Sequence, residues 1–393
     1  MRIAEVETLV VGNPPPGFGG RYFIFLKLTT DSGVVGWGEA YSFPFHPRVV
    51  EAMVADVAER HVLGADPFRI EWLWRRVYGS GYTQRPDTSL MAVLSAVEIA
   101  CWDIVGKELG RPVYDLLGGK VRERVRSYTY LYPSGPDDPV YTDPDAAAAA
   151  AVACVEQGFT AVKFDPVGPY SAFDPRQLSL EALDHSERFV RVLREAVGDR
   201  CDLLFGAHGQ MTPAGALRLA RRLEPYDPLW LEEPVPPESP EEMAKVARGT
   251  SIPIATGERL VGKHEFARVL ATGAASILQP ALGRVGGILE TKKIAAIAEA
   301  HYAQLAPHVY CGPIEAAASI QLDACIPNFL IQESIQTWGG FYTELLNEAI
   351  RWEDGYILVP DGPGLGFELD ETVARAHPYR GDELHLDMHG EPL

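Results

Sequence analysis

The sequence predicts an α/β chain in which a parallel β-barrel follows an α+β N-terminal domain. Short segments bearing acid, base or metal-ligand residues recur along the chain at residues 163–165, 206–208, 231–234, 257–259 and 306–308. Positions 206, 232 and 258 are 26 residues apart, which is about the length of one strand-loop-helix-loop unit in a (β/α)₈ barrel. Residues spaced in this way are expected to converge at one mouth of the barrel.

Residues 1–124 are expected to form the α+β domain. Two apolar runs, residues 23–28 and 34–38, flank the turn sequence Thr-Asp-Ser-Gly at 30–33, which is typical of an antiparallel hairpin. A helical pattern follows at residues 90–105. This mixture differs from the strand-helix repeat of the later chain.

A glycine- and proline-rich stretch at residues 12–20 interrupts the first domain. Such a composition does not support regular structure. It is either a surface connection or a mobile lid, and as a lid it would bring Arg21 and Tyr22 to a ligand. We also expect His46, in the segment Phe45-His46, to be a substrate-binding residue.

Residues 125–355 are expected to form the barrel. Buried strands alternate with amphipathic stretches, which favours a closed parallel barrel over an open doubly wound sheet. The predicted strands are residues 127–130, 161–164, 203–205, 230–232, 254–256, 276–279, 304–307 and 329–332. The turn-rich residues 356–393 are expected to return to the first domain.

Charge and composition exclude several classes of partner. The formal net charge of −19 argues against nucleic acid and anionic membranes, which bind clustered Lys and Arg. A small acidic substrate is compatible with this negative net charge, because a local cation can make the electrostatic potential inside a cleft positive. Five scattered cysteines without C-x-x-C spacing suggest reduced thiols, and no signal peptide or uninterrupted membrane span is found. We therefore expect a cytoplasmic protein.

Several motifs, in this order, resemble the enolase superfamily, specifically its mandelate racemase and muconate lactonizing group with features of acid-sugar dehydratases such as galactonate dehydratase. The motifs are Trp37-Gly38-Glu39, residues 95–104, Leu116-Leu117-Gly118-Gly119, Glu232-Glu233-Pro234, Gly257-Glu258, Gln279-Pro280, Gly286-Gly287, Ala306-Pro307-His308 and residues 361–366. The resemblance implies a capping domain over a (β/α)₇β barrel, one Mg²⁺, removal of the proton α to a carboxylate, and a homo-oligomer.

Glu232 and Glu258 match the family's metal ligands, and carboxylate oxygens suit Mg²⁺. The simpler alternative for a single glutamate is a solvated charge on a loop. The family's third ligand is an Asp, and here Gly206 stands in its place, with His208 two residues on. The third protein ligand is therefore uncertain: His208 could bind the metal, act as a general acid, or bond a neighbour. If the strand extended to residue 208, His208 would lie on the same face of the strand as Gly206, because residues two apart share a face.

Lys163 and Asp165 occupy the two positions of the family's K-x-K element. Lys163 would offset the charge of a substrate carboxylate. Asp165 replaces the catalytic Lys of racemases, which favours one-face chemistry such as dehydration, and it could also supply a metal carboxylate. Alternatively, the two residues form a structural ion pair.

His308 matches the family's base, and Glu333 matches an acid that hydrogen-bonds the substrate or the enolate. The usual carboxylate partner of the histidine is replaced by Ala281, so another group must orient His308, such as Arg284 indirectly or a backbone group. A structural core histidine is the simpler alternative.

The function expected from these residues is dehydration of a sugar acid, an aldonate or aldarate, to a 2-keto-3-deoxy acid. His308 or Asp165 would remove the α-proton, and His208 would assist loss of the β-hydroxyl. A cycloisomerase or epimerase acting on a sugar-acid lactone or anhydro-sugar is an alternative. A sugar-acid binding protein that has lost turnover is another.

Overall fold

The computed structural model describes residues 1–41, 43–82, 84–135 and 137–393. Its N-terminal part is a three-stranded antiparallel meander, β1-β2-β3, packed against helices. The elements of this part are β1 (Ile3–Gly12), β2 (Tyr22–Thr30), β3 (Val35–Ala40), α1 (Pro47–Val57), α2 (Ile70–Tyr78), α3 (Thr88–Leu109) and α4 (Val113–Leu116). The predicted hairpin is the pair β2 and β3, which forms because apolar strands flank a tight turn.

The long helix α3 is the centre of this cap. Asp87 caps its first turn through the amide of Leu90, and Gly110 ends it in the left-handed region at φ 63°. The helix is long and apolar enough to cross a membrane, but 89% of that apolar window is buried inside the fold. Its apolar composition is therefore accounted for by packing in the core.

The second part is a ring of eight parallel strands. Strands β4 to β10 pair in chain order, and β11 returns to pair with β4. A bridge between Leu305 and Phe329 closes the ring. The strands are β4 (Arg124–Tyr130), β5 (Ala161–Phe164), β6 (Asp202–Gly206), β7 (Trp230–Glu232), β8 (Ile254–Thr256), β9 (Ile277–Leu278), β10 (Gln304–Leu305) and β11 (Gln332–Ser334).

Helices connect the strands of the ring and cover it from outside. They are α5 (Pro144–Gln157), α6 (Leu180–Val197), α7 (Pro213–Leu223), α8 (Pro240–Ala247), α9 (Gly262–Thr272), α10 (Leu282–Val285), α11 (Gly287–Ala300) and α12 (Pro313–Cys325). Seven strand-helix units and a final strand make a (β/α)₇β barrel with an α+β cap. The predicted fold class is confirmed.

The barrel interior is filled by side chains, one from each strand or its flank. They are Tyr128, Ala161, Leu204, Trp230, Ala255, Ile277, Ala306 and Ile331. Tyr128 and Trp230 meet edge to face at 5.5 Å. This packed layer fills the barrel. Polar side chains that react with a ligand must therefore lie above it, at the carboxyl ends of the strands.

The remaining chain crosses from the barrel to the cap. It contains α13 (Phe341–Glu344), β12 (Trp352–Glu353), β13 (Tyr356–Leu358) and α14 (Glu371–Ala376). β13 pairs antiparallel with β4, the amide of Leu365 donates to Asp103 of α3 at 2.9 Å, and Tyr379 donates to the carbonyl of Val10 at 3.0 Å. We call residues 384–391, which follow, the tail.

Candidate active site

A cavity of about 610 Å³ opens at the carboxyl ends of the barrel strands. Six of the residues singled out from the sequence line it. They are Lys163, Asp165, His208, Glu258, His308 and Glu333. Glu232 lies deeper, 1% exposed, and contacts this group through Lys163. The regular spacing therefore brings together residues from five different strands or their following loops.

Lys163 and Glu232 form a buried ion pair, with Nζ 2.5 Å from Oε1. The other oxygen of Glu232 accepts hydrogen bonds from Trp230 Nε1 at 3.0 Å and Gln279 Nε2 at 2.7 Å. Burial by itself lowers the pKa of Lys163, but the carboxylates of Glu232 and Glu333 outweigh burial and raise that pKa well above its usual value. Lys163 is therefore a fixed cation at the base of the cavity.

His308 presents Nε2 to two carboxylates, 3.5 Å from Glu258 Oε2 and 3.9 Å from Glu333 Oε2. Burial lowers its pKa to about 4, against the opposing effect of Glu258, so the imidazole is neutral near pH 7. Burial raises the pKa of Glu258, but His208, Lys163 and, when it is protonated, His308 outweigh burial and hold that pKa well below its usual range. Within the described residues, Nδ1 of His308 has no hydrogen-bond partner. This agrees with the loss of a carboxylate at Ala281, and neither Arg284 nor a backbone group takes its place.

Glu333 ends the barrel on β11. Its Oε2 accepts from the amide of Val309 at 2.9 Å, and its Oε1 lies 3.8 Å from Lys163 Nζ. Burial raises its pKa, partly offset by Lys163. A raised pKa is what a carboxyl group needs to share or donate a proton.

His208 and Asp165 form a second pair, with Nδ1 2.6 Å from Oδ2. Burial lowers the pKa of His208, but the hydrogen bond that the imidazole donates to Asp165 and the charge of that carboxylate outweigh burial and raise the pKa to about 9. β6 ends at Gly206, and His208 lies beyond it in a turn at φ 46°. His208 thus reaches the cavity through a left-handed turn and not by strand alternation, which corrects the expected route. The side chain of Asp165 bonds this histidine, so an ion pair of Asp165 with Lys163 is not formed.

The structure does not place Arg21, Tyr22 and His46 among the residues that line the cavity. Arg21 donates to the carbonyl of Leu384 at 2.7 Å and to Asp387 at 2.8 Å. The hydroxyl of Tyr22 accepts from the amide of His385 at 3.1 Å. His46 caps α1 and lies 3.2 Å from the carbonyl of Gly381. Arg21 and Tyr22 thus hold the tail itself, and His46 contacts the segment that leads into it. The tail covers the mouth of the cavity.

Residues outside the predicted set of site residues complete the wall. Arg259 and Arg284 add positive charge, and six tyrosines give an aromatic, hydroxyl-bearing surface: Tyr41, Tyr130, Tyr132, Tyr141, Tyr170 and Tyr310. The tail adds Leu386, Asp387 and Met388. The alternating tyrosines at 128, 130 and 132, at the end of the first barrel strand, were a readable signal, since alternate residues of a strand share a face.

Both parts of the fold match known families. Residues 145–373 match the enolase C-terminal domain-like family, and residues 18–118 match the mandelate racemase / muconate lactonizing enzyme N-terminal domain. The chain therefore belongs to the mandelate racemase and muconate lactonizing enzyme family of the enolase superfamily.

Named relatives are similar over most of their length. A D-galactonate dehydratase from Ralstonia nicotianae is 40% identical, with 89% of this chain and 90% of the relative aligned. A D-xylonate dehydratase from Haloferax volcanii is 36% identical, with 97% and 90% aligned. A crystal structure of a protein from Labrenzia alexandrii superposes with a TM-score of 0.98 at 62% identity, covering 100% of this chain and 99% of that one.

Members of the enolase superfamily use Mg²⁺, but the donor atoms in this chain do not fit a resident ion at the expected position. Both oxygens of Glu232 are taken by Lys163, Trp230 and Gln279. Gly206 supplies no ligand. Of the carboxylates at the expected metal position, Glu258 is the one whose oxygens could still bind an ion.

A second acidic group, Glu39, Cys311 and Glu315, lies between the cap and the barrel. Glu39 accepts from the amides of Gly312 at 2.6 Å and Glu315 at 2.9 Å, at the start of α12. Glu315 accepts from the amide of Gly283 at 2.8 Å. Backbone amides thus satisfy both oxygens of Glu39 and Oε1 of Glu315, whereas Oε2 of Glu315 has no hydrogen-bond partner among the described residues. Contacts with the amides at helix starts account for Glu39 without an ion.

Proposed function

We propose that this protein is a hydro-lyase that dehydrates a sugar acid, an aldonate or aldarate, to a 2-keto-3-deoxy acid. The observation that carries the proposal is the pairing of two histidines in one cavity with opposite pKa shifts. His308 is neutral near pH 7 and can accept a proton, whereas His208 is protonated and can donate one. Environments that push two such pKa values apart assign the base and the acid.

The reaction divides between these two residues. His308 Nε2 takes the proton from C2, and the electron pair left on C2 moves into the carboxylate to form an enolate. The imidazolium formed lies beside Glu258 and Glu333, which stabilise it. His208 gives its proton to the C3 hydroxyl, which leaves as water, and the resulting enol becomes the 2-keto-3-deoxy acid. Asp165 holds His208 in place and stabilises its charged form.

The charge and shape of the cavity support a small sugar acid as the substrate. Lys163, Arg259 and Arg284 can meet a carboxylate, and the tyrosine hydroxyls can meet the hydroxyl groups of a sugar chain. The relatives named D-galactonate and D-xylonate dehydratase support the same substrate class. Homo-oligomerisation and a cytoplasmic location, expected from the sequence, stay predictions.

The test is a screen of aldonates and aldarates for 2-keto acid formation, with His308→Asn beside the wild type. We expect one or a few stereoisomers to give product and the variant to give none. Exchange of the α-proton with solvent deuterium but no product, for every compound, would point instead to the epimerase alternative. Ligand stabilisation in a thermal-shift assay with neither exchange nor product would point to a binding protein.

A further inference from the structure

We propose that the ammonium group of Lys163 takes the place of the family's divalent cation in this chain, so that the site stabilises the enolate without a metal ion. This deepens the proposed function, because it names the group that carries positive charge where the enolate forms. It rests on three features of the donor set, one at each position where the family places a ligand.

The first feature is Glu232. Its Oε1 accepts from Lys163 Nζ at 2.5 Å, and its Oε2 accepts from Trp230 Nε1 at 3.0 Å and Gln279 Nε2 at 2.7 Å. An ion that bound here would have to displace Lys163 from Glu232, and the buried ammonium group would keep only Glu333, 3.8 Å away, as a charge partner. Taking one partner away from a buried ion pair is strongly unfavourable. Glu232 is therefore committed to Lys163.

The second feature is Gly206. Lys163 lies on β5, Glu232 on β7, and Gly206 on the strand between them, directly opposite Glu232 in the register. A Cβ built on Gly206 would lie 3.5 Å from Lys163 Cε and 3.7 Å from His208 Cε1. A Cβ at these distances would make ordinary van der Waals contacts, but the carboxyl group of an aspartate would extend beyond it into the space that Lys163 crosses to reach Glu232. Glycine at this position thus lacks a metal ligand and also leaves this space to the lysine.

The third feature is Glu258, the remaining carboxylate. Its Oε2 lies 3.5 Å from His308 Nε2, and the charge of Lys163 acts on it directly. A divalent ion held by Glu258 would lie close to a buried ammonium group, and like charges repel strongly in a site that excludes water. One carboxylate beside a fixed cation is a poor magnesium site.

Lys163 has the chemistry that the reaction needs. An ammonium group has three N–H donors, and Glu232 takes one of them, while Glu333 at 3.8 Å lies beyond hydrogen-bond distance. An N–H thus remains for the substrate at the base of the cavity. When His308 removes the C2 proton, negative charge develops on the substrate carboxylate, and a charged donor held there beforehand stabilises it.

The test is Mn²⁺ binding to the full chain. Binding is measured as the loss of the electron paramagnetic resonance signal of free Mn²⁺. We expect the wild type to bind no ion that depends on Glu232 or Glu258. We expect the double variant K163M/G206D, which removes the cation and restores a third carboxylate, to bind one ion per chain. Stoichiometric binding to the wild type that is lost in Glu258→Gln would overturn the proposal. The wild-type measurement is decisive even if the double variant does not fold.

Activity gives an independent measurement. If dehydration is found, the wild type should keep its full rate after treatment with a chelator, and Lys163→Met should lower kcat by about 10²–10³-fold. Because Lys163→Met leaves Glu232 buried and unpaired, K163M/E232Q is tested beside it, with circular dichroism to show folding. A rate that disappears with chelator and returns with Mg²⁺ would overturn the proposal. Absence of both dehydration and Mn²⁺ binding would instead reject the proposed function and leave the metal-free site standing.

Discussion

The Nδ1 atom of His208 lies 2.6 Å from Oδ2 of Asp165, across the gap between β5 and the turn after β6. This contact reverses the effect of burial on the histidine, because a carboxylate at hydrogen-bond distance favours the imidazolium. Asp165 stands at the position where the racemases of the family carry a lysine. Its carboxylate favours the protonated form of His208, which can then act as an acid at neutral pH.

The pH dependence of the rate should depend on Asp165. With His308 acting as base and His208 as acid, the rate should fall below about pH 4 and above about pH 9. In Asp165→Asn the upper limb should move to lower pH, because burial then acts on His208 without the hydrogen bond and charge of Asp165. Product formation measured across pH checks this. Tyr170→Phe, which keeps the ring that packs against His208 with centroids 4.7 Å apart, is the control whose upper limb should stay near pH 9.

The two histidines should separate the two halves of the reaction. His308→Asn removes the base, so solvent deuterium exchange at C2 should fall by about 10²–10⁴-fold. His208→Asn removes the acid for the leaving hydroxyl, so exchange should persist while product formation is lost. Proton NMR in deuterium oxide measures both. Equal loss of exchange in both variants would show that the roles are not divided in this way.

Glu39 should make stability depend on pH. Burial, and then the nearby Glu315, raise the pKa of Glu39 to about 8 from 4.5. Since the folded protein holds this proton where the unfolded chain has released it, stability should fall as pH rises from about 4.5 to 8, by at most about 1.4 kcal/mol per pH unit for this one group. Urea unfolding at several pH values checks this. Glu39→Gln should show a shallower fall than the wild type, whereas the exposed Glu348→Gln should match the wild type.

Arg21 should affect substrate affinity through the tail. Its contacts with Leu384 and Asp387 are partly exposed, and losing such a pair costs about 1 kcal/mol, or about fivefold in an equilibrium. Arg21→Ala should therefore raise KM about fivefold with kcat little changed. Arg375→Ala breaks exposed ion pairs with Glu7 and Glu371, away from the tail. If both variants raise KM equally, the tail does not act in this way.

Much of the fold could be predicted because hydrophobic period and spacing report local structure. The predicted strands at 161–164, 230–232 and 254–256 match β5, β7 and β8. The eighth strand, predicted at 329–332, is β11 at Gln332–Ser334. Phe329 instead makes the bridge that closes the ring. An apolar run marks buried residues, but the barrel's closure decides which of them pair.

Which residues of several strands would line the cavity could be predicted in part, whereas their contacts could not. The spacing brought Lys163, His208, Glu258 and His308 to one cavity. The pairing of Lys163 with Glu232 depends on the register of three strands, and the placement of His208 depends on a left-handed turn. Neither is visible in residue types alone. The tail was missed because nothing in its composition indicates which distant surface it will cover.

The tail also sets an order of events in the making of this molecule. The amide of His389 donates to the carbonyl of Tyr170, and Ser171 donates to the carbonyl of Glu391, so the mouth is covered by residues translated after every strand of the barrel. Because the strands of the ring precede the tail in the chain, the candidate site stays open to water during synthesis until the tail has been made. The cavity is covered once the tail contacts Arg21 and residues 170–171.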